Sequence, residues 1–210
     1  MNGLYIVTPD WDDTIKLLAV TEQALLGGAS IVQYRNKTAS PALRRVQASQ
    51  LRAMCQRYRR PFIINDFVDL CVELDADGVH VGGMDAPIEA IRAILGPDKI
   101  VGASCYSSMQ RAHNACVAGA SYIAFGGFYP SRVKKYPLTT TPGIIQQAKR
   151  TLPVPIVVIG GMTQDNAAPL VAAGADLVAA ISSVYAAENP RDAAHALVTL
   201  FERTTATSAA

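Results

Sequence analysis

The chain has 210 residues, of which 50% are hydrophobic and 17% are charged, and its formal net charge is +2. A chain of this length and composition can bury a substantial core within one domain. It carries no basic run and no basic stripe interleaved with aromatic residues, which excludes nucleic acid as an expected partner. The apolar runs are too short to span a bilayer and no leader pattern is present, so we expect a cytoplasmic protein without membrane contact.

The chain alternates between eight short runs rich in Val and Ile and longer helix-like stretches. In chain order, these runs span residues 4–8, 30–35, 61–66, 78–81, 100–105, 122–127, 155–161 and 177–182. Continuous hydrophobicity is typical of strands covered on both faces, and alternation with helices indicates a parallel sheet. The pattern predicts a single (β/α)8 TIM barrel over residues 1–203, followed by a disordered tail over residues 204–210.

The alternative architecture is an open doubly wound sheet, which requires a glycine-rich nucleotide loop after the first strand. That strand is followed instead by Thr8, Pro9, Asp10 and Trp11. We therefore favour the barrel.

Strand two ends in Gln-Tyr-Arg-Asn-Lys at residues 33–37. Alternation along a strand places Gln33, Arg35 and Lys37 on one side. Arg offers a fork of donors and Lys a point charge, so the three side chains suit a diphosphate. The alternative is a solvated charged loop, which the acids of the next two strands disfavour.

An aspartate follows the apolar residues of strand three and of strand four. These are Asp66 and Asp85. Adjacent parallel strands lie about 5 Å apart, so the two acids could share one divalent cation. Mg²⁺ held by one or two carboxylates is usually completed by phosphate oxygens of the substrate. The alternative is that both acids are helix N-caps.

Strand five ends near Ser104, which either donates to an anion or caps the following helix. Cys105 beside it has no histidine placed as its base, so we interpret it as a packing residue. We expect all four cysteines to be free thiols, mostly buried, because their spacing contains no C-x-x-C pair. His80 lies in an apolar strand and is interpreted as a core residue, whereas His113 and His195 are expected at the surface.

The strands late in the chain end in residues that suit phosphate. In a TIM barrel the active site lies at the carboxyl ends of the strands, and the loops after strands seven and eight often bind phosphate. Gly160 and Gly161 follow strand seven, and Ser182 and Ser183 follow strand eight. The alternative is a plain glycine turn with a serine cap. A long loop after strand six, residues 125–137, is interpreted as a lid.

Taken together, these blocks resemble the thiamine phosphate synthase family from residue 4 to residue 182. The motifs are Gln-Tyr-Arg-Asn-Lys at 33–37, Ile-Asn-Asp at 64–66, Ala-Asp-Gly-Val-His-Val-Gly at 76–82, Gly-Ala-Ser at 102–104, the 128–134 loop and Ile-Gly-Gly at 159–161. The resemblance implies a (β/α)8 transferase that joins a hydroxymethylpyrimidine diphosphate to a thiazole phosphate by a dissociative route. It also implies Mg²⁺ as cofactor, small-molecule substrates and a homodimer.

The same resemblance assigns roles to individual residues. Asp66 and Asp85 would hold Mg²⁺. The pyrimidine diphosphate would be held by Gln33, Arg35, Lys37, Asn65, Ser104 and Lys134, of which Arg35, Lys37, Ser104 and Lys134 are the candidate catalytic residues. The thiazole phosphate would face Ser131, Val133, Gly161, Ile181 and Ser182. Tyr34, Asn36 and Arg132 lie within the same motifs and complete the predicted substrate-binding set.

Four positions depart from the family pattern. The lid loop commonly reads Thr-x-Thr-Lys, whereas Ser131 and Val133 stand at the threonine positions here. Gly83 replaces a frequent glutamine and Tyr106 a frequent histidine. A related thiazole tautomerase resembles the synthase but is thought to use that histidine and to lack the diphosphate site, the opposite of this pattern. A ligand-binding barrel without catalysis is the third alternative, and metal-dependent diphosphate release separates the synthase from both.

Overall fold

The computed structural model describes residues 1–82, 87–130 and 140–207. Its strands are β1 (Gly3–Val7), β2 (Ile31–Tyr34), β3 (Phe62–Asn65), β4 (Gly78–Val81), β5 (Ile100–Tyr106), β6 (Tyr122–Gly126), β7 (Ile156–Ile159) and β8 (Leu177–Ala180). Its helices are α1 (Thr14–Leu26), α2 (Pro41–Arg57), α3 (Val68–Glu73), α4 (Ile88–Leu95), α5 (Met109–Val117), α6 (Gly143–Thr151), α7 (Gln164–Ala172), α8 (Ser182–Tyr185) and α9 (Pro190–Thr207).

The eight strands are parallel and close into a barrel in sequence order, with β8 paired to β1. This confirms the predicted (β/α)8 TIM barrel, and each predicted strand overlaps an observed one to within two residues at either end. The strands read as continuous apolar runs because both of their faces are covered.

The two faces of each strand pack into different hydrophobic clusters. On β1, Leu4 and Ile6 pack in the large core between barrel and helices, whereas Tyr5 and Val7 belong to a second cluster inside the barrel. That interior cluster comprises Tyr5, Val7, Ile31, Ile63, Tyr122, Ala124, Val157, Leu177 and Ala179. The barrel interior is therefore filled by side chains, and a cavity opens toward the carboxyl ends of its strands.

The cysteines are free, as predicted. Cys55, Cys71 and Cys105 are buried and Cys116 is half-buried. Burial raises the pKa of Cys105 to about 12, so its thiol stays protonated at neutral pH. This is the behaviour of a packing residue and not of a nucleophile.

The last helix extends further than the sequence predicts. α9 continues to Thr207, whereas the pattern predicted a tail from residue 204. Helix propagation adds one hydrogen bond for each residue fixed, so a helix already formed can continue through this segment although three of its four residues are threonine, a weak helix former. Among the described residues, no helix combines the length and apolar character that crossing a membrane requires.

Candidate active site

A cavity opens at the carboxyl ends of the strands and holds about 830 Å³ including its solvent-open mouth. Its lining comes from all the strands or the loops that follow them. The lining residues are Tyr5, Val7, Gln33, Arg35, Asn65, His80, Ser104, Tyr106, Ala124, Gly126, Gly127, Tyr129, Val157, Ile159, Gly160, Ala179 and Ile181. An apolar wall with a few convergent polar groups is the usual construction of a small-molecule site.

The end of β2 sends its side chains to opposite sides. Gln33 and Arg35 line the cavity, as alternation predicted. Tyr34 lies on the other side, where its hydroxyl donates to Gln47 Oε1 at 2.9 Å. Asn36 Oδ1 accepts from the amides of Thr38 and Ala39 at 3.2 and 3.0 Å. Neither Tyr34 nor Asn36 lines the cavity, because both side chains hold the loop to α2 and to itself; their predicted contact with the substrate stays a prediction.

Asp10, in the loop after β1, holds the cationic end of β2. Its two carboxylate oxygens accept from Arg35 Nη1 at 3.0 and 2.9 Å, and Oδ1 also accepts from the Lys37 amide at 2.8 Å. Arg35 Nη2 has no protein partner among the described residues and stays available to a ligand. Sequence reasoning missed Asp10, although its place just past the first strand was a signal.

We expect Asp10→Asn to weaken the binding of inorganic diphosphate about tenfold, since an amide cannot hold the Arg35 guanidinium through two charge-assisted bonds. Isothermal titration calorimetry measures this directly. Asp12→Asn is the matched control, because Asp12 is exposed in the same loop and makes no ion pair within the described part of the chain. Equal affinities in the two variants would show that Asp10 only shapes its loop.

Asp66 follows β3 and faces the same edge. Its Oδ2 lies 3.1 Å from Lys37 Nζ, so the ends of β2 and β3 bring a cation and a carboxylate together. The N-cap of α3 is Phe67, without a side-chain capping bond, which rules out the cap interpretation for Asp66. Its backbone is left-handed, with φ of 64°, a conformation that few residues besides glycine, asparagine and aspartate adopt readily and that often marks functional sites. Asp85, the second predicted ligand, lies outside the described residues.

Asn65 and Ser104 are brought together with this cluster. Asn65 is buried and lines the cavity. Ser104 does not cap α5, because that task falls to Ser108, whose hydroxyl accepts from the Arg111 amide. Instead the Ser104 hydroxyl lies 2.8 Å from His80 Nε2. His80 is thus buried and hydrogen-bonded, as predicted, but it also lines the cavity, which sequence reasoning missed.

The loops after β7 and β8 enclose a smaller cavity of about 280 Å³. Gly160 and Gly161 adopt φ of 111° and 64°, which only glycine adopts readily. A Cβ at Gly161 would lie 2.2 Å from Pro130 O, so the loop also lacks room for one. Ile181 and Ser182 complete the lining. Two glycines beside a serine leave room for a phosphate to approach the backbone of this loop.

Ser183, also in the lining of the smaller cavity, has a buried hydroxyl without a hydrogen-bond partner among the described residues. Ser131, Arg132, Val133 and Lys134 lie outside the described residues, so their predicted roles stay predictions. His113 and His195 are exposed, as expected.

The fold is a (β/α)8 barrel whose strand ends carry two cations after β2, an acid after β3 and a glycine loop after β7. Residues 4–184 match the sequence profile of the family described as thiamine monophosphate synthase. The chain belongs to this family.

Individual relatives agree over nearly the whole chain. Thiamine-phosphate synthase of Janthinobacterium sp. (strain Marseille) is 62% identical over 203 residues, covering 97% of this chain and 98% of that protein. The enzyme of the same name from Aromatoleum aromaticum is 44% identical, with 96% and 97% covered. The solved structure of thiamine phosphate pyrophosphorylase from Pyrococcus furiosus superposes with a TM-score of 0.84 at 31% identity, covering 96% of each chain.

Proposed function

We propose that the chain is a Mg²⁺-dependent thiamine phosphate synthase, a transferase of thiamine biosynthesis. It joins 4-amino-2-methyl-5-(diphosphooxymethyl)pyrimidine to a thiazole phosphate and releases diphosphate. The main support for this proposal is the ion pair between Lys37 and Asp66, which lies beside Arg35. It lies at the mouth of the cavity, and the glycine loop after β7 forms the opposite rim. Two anion sites facing one apolar cavity suit a reaction between two phosphorylated heterocycles.

The cations at the end of β2 suit the departing group. Arg35 is buried and anchored to Asp10 through one terminal nitrogen, so its position is fixed before the ligand arrives. Lys37 is about half exposed and can turn from Asp66 toward a phosphate. Charges aimed at a group that gains negative charge in the transition state lower the barrier to its departure.

The donor set at the end of β3 fits Mg²⁺. The Asp66 carboxylate is part-exposed and already draws the Lys37 ammonium to 3.1 Å, so this position favours a cation. A hard carboxylate oxygen that leaves room for water and phosphate oxygens is the usual Mg²⁺ environment, and we propose Asp85 as the second ligand. When bound, the ion would neutralise charge on the diphosphate.

The cavity suits a dissociative reaction. The carbon–oxygen bond to diphosphate breaks with its electron pair on the diphosphate, and the thiazole nitrogen lone pair then forms the new carbon–nitrogen bond. Neither tyrosine of the barrel interior is a nucleophile, because burial raises the pKa of Tyr5 and Tyr122 well above its ordinary value. The apolar wall, including Val157, Ile159 and Ala179, limits the water that could capture a pyrimidine-methyl cation.

The direct test follows both substrates by ³¹P NMR in the presence of wild-type protein. We expect diphosphate and thiamine phosphate to form in equal amounts, and only when Mg²⁺ and both substrates are present. Release of diphosphate without thiamine phosphate would indicate a hydrolase instead. Folded protein that releases no diphosphate would favour a barrel that binds ligands without catalysis.

We also propose that the chain forms a homodimer in the cytoplasm, as the family resemblance implies. Sedimentation velocity at micromolar concentration checks the dimer. A single species with the mass of one chain would contradict it.

A further inference from the structure

A row of five polar side chains crosses the barrel interior and ends at the cavity. Gln33 Nε2 lies 2.7 Å from the Tyr5 hydroxyl, which lies 2.7 Å from the Tyr122 hydroxyl. The Tyr122 hydroxyl lies 2.9 Å from His80 Nδ1, and His80 Nε2 lies 2.8 Å from Ser104 Oγ. The row joins β2, β1, β6, β4 and β5. It therefore links two residues predicted to contact the pyrimidine substrate, Gln33 and Ser104, through three that sequence reasoning did not assign to the site.

The barrel has room for Tyr122, the central residue of this row. His80 pairs in register with Gly102, and Gly102 pairs with Tyr122. A Cβ at Gly102 would lie 2.0 Å from Tyr122 Cζ, so the phenol occupies the space that a side chain on β5 would fill. Its ring stacks on the His80 imidazole at a centroid distance of 5.6 Å. Tyr122 is thereby fixed in position with its hydroxyl at Nδ1.

The hydrogen bonds along the row are donated in one consistent direction, from Gln33 toward Ser104. The Gln33 amide nitrogen can only donate, so Tyr5 accepts from it and directs its own proton to Tyr122. Both phenols are buried and keep their protons, because burial raises the pKa of each. Tyr122 therefore donates to His80 Nδ1. An Nδ1 that accepts carries no proton, so the proton of the imidazole is on Nε2 and points at Ser104 Oγ.

Hydrogen bonds donated in the opposite direction, from Ser104 toward Gln33, are disfavoured because of Tyr5. If His80 Nδ1 donated to Tyr122, Tyr122 would donate to Tyr5, which also accepts from Gln33. The Tyr5 proton would then have no acceptor among the described residues, at a side chain that is 1% exposed. A buried polar group without a partner is strongly disfavoured.

We infer that Tyr122, supported by Tyr5, is a positioning residue that holds the imidazole proton of His80 on Nε2 and so makes Ser104 a hydroxyl donor to the pyrimidine substrate. A serine nucleophile needs the opposite arrangement, in which the histidine nitrogen beside it accepts the serine proton. Here His80 donates to Ser104, and the serine proton remains for the ligand. The inference rests on the proposed function only for the identity of that ligand.

The tautomer can be measured without any substrate. In a His113→Gln, His195→Gln background, which removes two exposed side chains, His80 is the remaining histidine. Long-range ¹H–¹⁵N correlation spectra of this protein should show a protonated Nε2 and an unprotonated Nδ1. A spectrum of the imidazolium or of the Nδ1–H tautomer would overturn the inference, whether or not Tyr122→Phe folds. This result is independent of activity, so it stands apart from a failure of the proposed function.

The kinetic test is Tyr122→Phe, which keeps the stacked ring and removes the donor. We expect the Nε2–H tautomer to lose its dominance and kcat/KM for the pyrimidine diphosphate to fall about tenfold. The KM for the thiazole phosphate should change less than about twofold, since only one substrate faces Ser104. Tyr185→Phe is the matched control, because Tyr185 is also buried and its hydroxyl bonds Thr21 Oγ1 at 2.8 Å outside the barrel. Equal losses in both variants, or an unchanged His80 spectrum in Tyr122→Phe, would overturn the inference.

Discussion

Asp66→Asn is expected to lower kcat/KM about a hundredfold or more, which corresponds to about 2.7 kcal/mol of transition-state stabilisation. The amide keeps the size of the side chain but loses the charge that attracts Mg²⁺ and the Lys37 ammonium. Asparagine also tolerates the left-handed backbone at this position, where φ is 64°. The substitution therefore tests the charge without adding backbone strain, which alanine would add. Steady-state kinetics over a range of Mg²⁺ concentrations measures the loss.

Asp69→Asn is the control for this experiment. Asp69 lies three residues further along, in the first turn of α3, and is exposed. Its substitution should leave kcat/KM within about twofold. Near-normal, Mg²⁺-dependent turnover by Asp66→Asn would contradict the metal site, and melting temperatures of both variants show whether a loss reflects unfolding.

Gly102→Ala is expected to destabilise the barrel by about 3 kcal/mol, at the upper end of the usual cost of overpacking. The new methyl group would lie 2.0 Å from Tyr122 Cζ and 2.2 Å from its hydroxyl, and the ring is fully buried with nowhere to move. For a chain of this length such a loss lowers the melting temperature by roughly 6–12 °C. Thermal unfolding followed by circular dichroism measures it.

Gly143→Ala provides the comparison. Gly143 begins α6, where the nearest atom to an added Cβ is Thr141 Oγ1 at 3.8 Å. Alanine is favoured over glycine in helices, so this variant should be as stable as wild type or slightly more so. An equally mild effect of Gly102→Ala would show that the barrel interior accommodates the methyl group, and that Tyr122 is less firmly placed than its packing indicates.

The sequence predicted the parts of this molecule that depend on local pattern. Continuous apolar runs identify strands covered on both faces, and alternation correctly assigned Gln33 and Arg35 to the inner side of β2. The same alternation assigns Tyr34 and Asn36 to the outer side, and only their place inside a motif suggested substrate contact. A sequence motif groups residues that are neighbours in the chain. The alternation of side chains along a strand determines which of them line the same cavity.

The parts that escaped prediction depend on contacts across the barrel. Tyr5 and Tyr122 are 117 positions apart yet lie within hydrogen-bonding distance, and no pattern in one strand shows which residue another strand places opposite. Asp10 likewise contacts Arg35 from a different loop. These pairings are determined by how the strands close into the barrel. The residue types within a single strand do not indicate them.

We expect the mouth of the barrel to bind diphosphate at one rim and the thiazole phosphate at the other. A crystal structure of the wild-type chain with Mg²⁺, diphosphate and thiamine phosphate shows where each group binds. We predict diphosphate on Arg35 and Lys37, the metal on Asp66, and the phosphate of thiamine phosphate against Gly161 and Ser182. Diphosphate bound away from Arg35 and Lys37, or a metal that does not contact Asp66, would contradict it.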